Sequence, residues 1–130
     1  MSASIAEGTL QAATVIAKTT QTVIGGEIPC ASYDYITLYF DYVKGDETGL
    51  DIQAHFLQAT GGTEYQEATW TAAGGTKVLS QNEYTLTASV SSVITIDIRG
   101  INYIKFTQGG SNDDGTPDGT LAASYSMTAS

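Results

Sequence analysis

The chain has 130 residues, a formal net charge of −9 from 14 acidic and 5 basic side chains, and one cysteine. A chain of this length holds one domain and buries roughly two-thirds of its unfolded surface, enough for a core without staples. Five scattered cations (Lys18, Lys44, Lys77, Arg99 and Lys105) cannot neutralise a run of phosphates, which speaks against nucleic acid and anionic membranes as partners; the lone Cys30 excludes an internal disulfide.

The opening residues, MSASIAEGTLQ, lack the basic and apolar segments of a secretion signal, so synthesis in a cytoplasm is expected. No run approaches the ~20 apolar residues of a membrane-spanning helix. Residues 1–30 contain no aromatic side chain. They read as an N-terminal arm with one or two edge strands, near Leu10 to Ala17 and Gln21 to Ile24, adding little to the core. Such an arm orders on a neighbour. Residues 31–130 read as the β-sandwich proper.

From Ser32 onward the hydrophobic period is two. SYDYITLYFDYV places Ile36, Leu38, Phe40 and Tyr42 on one face and Tyr33, Tyr35, Thr37, Tyr39 and Asp41 on the other. GLDIQAHFLQA turns Leu50, Ile52, Ala54 and Phe56 inward and Asp51, Gln53 and His55 outward. The polar KGDETG joins the two. TEYQEATW breaks parity between Tyr65 and Trp70, which marks a bulge or a strand end. EYTLTAS, VITIDIR, INYIKFT and TLAASYSMT alternate again. Gly25-Gly26, Gly45-Asp46, Gly61-Gly62, Gly74-Gly75, Gln81-Asn82, Arg99-Gly100 and Gly109-Gly110 read as turns. Eight or nine short strands at this spacing predict an all-β, antiparallel β-sandwich or barrel. Its core is expected around Ile36, Leu38, Phe40, Ile52, Phe56, Ile96 and Phe106.

No nucleophile-and-base constellation is present, so an enzyme is not expected. SNDDGTPDGT, Ser111 to Thr120, offers calcium-type oxygens from Asp113, Asp114 and Asp118. Adjacent Asp113 and Asp114 point apart in extended backbone, and Asp-Gly and Pro-Asp-Gly form turns on their own, so the stretch reads as a hairpin tip. No cofactor is expected. KGDET reads as a turn with solvated charges, Cys30 as a small buried hydrophobe, and His55 as an exposed or interface histidine. Glu64, Tyr65, Glu67 and Trp70 have the composition of a sugar site, but sequence does not show whether they converge. The tyrosine row Tyr33, Tyr35 and Tyr39 is either a partner interface or a second buried face.

Two stretches, YITLYFDYVKGDETGLDIQAHF and INYIKFTQGGSNDDGTPDGTLAASYSM, resemble the small jelly-roll-like virion proteins of tailed bacteriophages, of the capsid decoration (cement) or head-fibre type. The resemblance implies a jelly-roll-like sandwich without catalytic residues. It also implies self-association, often as a homotrimer, and a place on the outer capsid surface bound to the major capsid protein. With it, the expected interface is Tyr33, Tyr35 and Tyr39 together with the arm, including Ser2 and Ile5. The alternative is a carbohydrate-binding module or the receptor-binding part of a phage fibre.

Overall fold

The computed structural model describes residues 4–17, 20–73, 76–81, 83–111 and 118–129. Among them it forms ten strands: β1 (Ser4–Val15), β2 (Thr22–Pro29), β3 (Tyr35–Val43), β4 (Gly49–Leu57), β5 (Ala68–Ala73), β6 (Thr76–Gln81), β7 (Tyr84–Leu86), β8 (Val90–Asp97), β9 (Tyr103–Ser111) and β10 (Thr120–Ala129). Eight of them build two antiparallel sheets, ordered β1-β10-β3-β8 and β2-β9-β4-β7; β5 and β6 form a separate hairpin. The pairing is nested: β1 with β10, β2 with β9, β3 with β8, β4 with β7. A long hairpin rolled across two sheets in this order is the jelly-roll topology, an all-β sandwich.

The alternation read from the sequence sets which face is buried. In β3, Ile36, Leu38, Phe40 and Tyr42 are buried while Tyr35 and Tyr39 are exposed. Leu50, Ile52 and Ala54 on β4, Ile96 on β8, Ile104 and Phe106 on β9, and Leu121, Ala123 and Met127 on β10 close the same core, with Phe56 packed half-buried against it. Fully burying a side chain of this size stabilises by about 1.5–3 kcal/mol.

Three readings are corrected. Residues 16–30 do supply the core: Ile16, Ile24, Ile28 and Cys30 are all buried. Aliphatic side chains fill the gap between the sheets, so the lack of aromatics was a poor guide to packing. Gly25-Gly26 lies inside β2, where the register shifts between Ile24 and Ile28, a β-bulge. Gly25 takes φ 75°, and a side chain there would run into Leu10 of β1. Gly109-Gly110 is likewise strand, paired with Asp51 and Leu50 of β4. A Cβ on Gly109 would lie 2.7 Å from the Thr20 carbonyl oxygen, so glycine here serves close backbone approach.

Candidate functional site

The jelly roll leaves two outer faces. That of the β1-β10-β3-β8 sheet is built in rungs, since residues directly opposite on neighbouring strands share a face. Ile5, Thr128, Tyr35 and Asp97 form one rung; Glu7, Ser126, Thr37 and Thr95 the next; Thr9, Ser124, Tyr39 and Val93 the third. Val15, Thr120 and Val43 align at the far end. Small hydroxyl side chains make the floor. Ile5 (63% exposed), Tyr39 (46%) and Val93 (51%) rise from it. Shallow depressions of about 540 and 620 Å³ lie on either side of Tyr39.

The hydroxyls are largely tied to one another. The Thr37 and Thr95 hydroxyls lie 3.0 Å apart, and Tyr39 Oη lies 3.3 Å from Ser126 Oγ. Ser91 donates to Asp41. Arg99 stands 5.7 Å over the Tyr35 ring and chelates Asp97. Its hydrogen bonds hold the Asp97 carboxyl down to about 2. This pair is exposed, so it adds little stability.

The expected interface residues do not all fall together. Tyr35 and Tyr39 share the face, and Ile5 lies two rungs from Tyr39. Tyr33 parts from them: it precedes β3 and packs, half-buried, against the core. Ser2 lies outside the described residues. Ile5 to Gly8 are paired with β10 in β1, so removing residues 1–8 would strip part of an edge strand. Asp113 and Asp114 lie outside the described residues; Asp118 is exposed. No group of three or more His, Cys, Asp or Glu side chains gathers at metal-binding distance among the described residues.

Cys30 is wholly buried, and burial pushes its thiol up to about 11, so it is a packing residue without thiolate character. His55 departs from its expected exposure. Its side chain is only 15% exposed. Its Nε2 lies 3.2 Å from Thr107 Oγ1, and Glu64 approaches its Nδ1 to 3.6 Å. Burial lowers its pKa and nearby Lys105 adds to this, against the pull of Glu64. Lys105 Nζ meets Glu64 at 2.7 Å. Glu64 is thereby committed to the β2-β9-β4-β7 sheet. Tyr65, Gln66, Glu67, Arg99 and Asn102 line a separate groove of about 720 Å³, which Glu64 does not line. Trp70 is carried by the β5–β6 hairpin.

Sequence reasoning missed Glu47. In the turn between β3 and β4 its carboxylate is fully buried. It accepts from the Tyr42 hydroxyl, from the Gly45 N–H at 2.9 Å and from the Gly119 N–H at 3.0 Å. Burial alone would raise its pKa, but these donors outweigh it and hold the carboxyl below its ordinary range. The expected solvated KGDET turn is thus a buried clamp fastening the segment before β10 to the β3–β4 corner. A Glu among turn residues looks the same in sequence whether it is solvated or clamped.

No family model and no curated protein sequence matches the chain. Solved structures do match in fold. The SPBc2 prophage-derived protein YomS is 15% identical, with a TM-score of 0.57 over 99% of this chain and 96% of that one. A protein of the disulfide-linked endospore appendage pili of Bacillus is 13% identical, with a TM-score of 0.51 over 100% of this chain and 93% of that one. VP2 of the infectious bursal disease virus subviral particle is 12% identical, with a TM-score of 0.57 over 98% of this chain and 33% of that one. At these identities the likeness is one of fold.

Proposed function

We propose that this chain is a non-enzymatic structural protein of a phage particle that decorates and stabilises the capsid, docking on the major capsid protein through the outer face of the β1-β10-β3-β8 sheet. The observation that carries this is the face itself: four strands wide, in register, with Tyr35, Tyr39, Ile5 and Val93 exposed on a hydroxyl floor. Tyrosine supplies contact area at low entropic cost. The fold is shared with a prophage-derived protein and with VP2 of a viral particle, which favours a particle component. A clip that binds only assembled shell stabilises it by its own binding free energy.

Co-sedimentation with assembled capsids tests the reading. Tyr39→Asp combined with Ile5→Asp is expected to weaken binding about 30-fold or more, the effect of losing a contact worth about 2 kcal/mol. The unfolding free energy from urea denaturation should change by no more than about 0.5 kcal/mol, the range of surface substitutions. Unchanged occupancy would remove this face from the interface.

A second reading, a carbohydrate-binding module, draws on the groove beside Tyr65. That ring is exposed, and Glu67, Arg99 and Asn102 line the same groove. Sugars stack on such rings and bond to planar polar side chains. Loss of glycan binding in Tyr65→Ala, with capsid binding intact, would favour it.

A further inference from the structure

The four edges of the two sheets are not alike. β1 is bulged twice, between Thr9 and Gln11 and between Gln11 and Thr14. β2 is bulged at Gly25-Gly26 and ends at Pro29. β7 has three residues. Bulges, prolines and short strands are the ordinary means by which a sheet edge is kept from pairing with another chain. β8 has none of them. It runs eight residues, Val90 to Asp97, in unbroken register with β3 from Tyr42 to Tyr35. No described strand pairs with its other side. Val90, Ser91, Ser92, Val93 and Thr95 are all exposed. It carries no lysine, and its single charge, Asp97, stands at its end.

We propose that β8 is a self-association edge: two copies of this chain pair antiparallel along β8, about a two-fold axis at Val93. The strand complements itself in that register. Val93 faces Val93, Ser91 faces Thr95 and Val90 faces Ile96, while Asp97 faces Ser89 and meets no second acid. The polarity of the backbone agrees. Ile98 donates its N–H to Asp34 on the β3 side, so the alternation of a strand turns the N–H groups of Ser91, Val93 and Thr95 to the open side. Tyr39 lies opposite Val93 on the same face. Pairing therefore joins two Tyr39–Val93 rows into one and gives a sheet eight strands wide. The outer face is doubled, not covered.

Sedimentation velocity of the free protein over a concentration series tests this without any capsid, so its failure is separate from failure of the docking reading. The expected species is a dimer. Thr95→Lys, which gives the edge the kind of charge by which natural edge strands resist pairing, should weaken it about tenfold or more. Val93→Cys should form a disulfide-linked pair under mild oxidation, because opposed residues of a hydrogen-bonded antiparallel pair bring their Cα atoms to about 5.5 Å. A monomer throughout, a trimer, a dimer untouched by Thr95→Lys, or no cross-link from Val93→Cys would each overturn the proposal.

Discussion

Replacing Glu47 with alanine is expected to lower the unfolding free energy by about 3–5 kcal/mol, because an unmade hydrogen bond in the interior costs about 1–3 kcal/mol per group. Three donors would lose their acceptor together: the Tyr42 hydroxyl and the Gly45 and Gly119 N–H groups. The lost clamp also frees the segment before β10, the strand that joins β1 to β3. Urea denaturation measures the change. Tyr42→Phe removes one donor and should cost about 1–2 kcal/mol by the same reasoning.

The pH dependence follows from the sign of the shift. The Glu47 carboxyl sits below its ordinary range in the folded chain, so the unfolded chain takes up its proton first as pH falls. Its contribution is complete above the unfolded value of about 4.3 and is lost as pH drops through the lower folded value. Glu47→Gln cannot titrate. Its stability should fall less steeply over that acid range, while remaining below the parent at neutral pH.

Phe106→Ala is expected to cost about 3–5 kcal/mol, the range for deleting a buried aromatic side chain, and to fall at its upper end. Phe106 is fully buried in β9, with Ile24 opposite on β2 and Ala54 opposite on β4. Alanine has no side chain to swing into the space, so the cavity stays largely open. Phe106→Leu should cost markedly less, since most of the volume is kept. Equal losses for the two would mean that the core around β9 relaxes freely.

The long alternating strands were legible in the sequence. One face of β3 and β4 is continuously apolar and the other is not, and burial follows that division except at the end of β4, where Leu57 is buried and Phe56 half-buried. The glycine pairs were not legible, because glycine marks a turn, a bulge and a close backbone approach alike. Gly25 serves the second and Gly109 the third. The core contribution of Ile16, Ile24 and Ile28 was hidden by isolation, as none sits in a long alternating run. The rungs of the outer face were half legible: Tyr35 and Tyr39 share parity on β3, but only the pairing of β1, β10 and β8 beside them brings Ile5 and Val93 to the same surface. Tyr33 has the same parity, yet it precedes the strand, where alternation no longer governs direction. Glu47 needed the fold itself, because its partner Gly119 is far away in the chain.

Hydroxyl-radical footprinting of the chain, free and bound to assembled capsids, tests the central claim most directly. Tyr35 and Tyr39 report on the outer face of the β1-β10-β3-β8 sheet, and Tyr65 on the groove beside Arg99. The account predicts that binding shields Tyr39 and Tyr35 from oxidation and leaves Tyr65 as reactive as in the free protein. Tyr39 equally reactive in both states, with Tyr65 shielded, would contradict it.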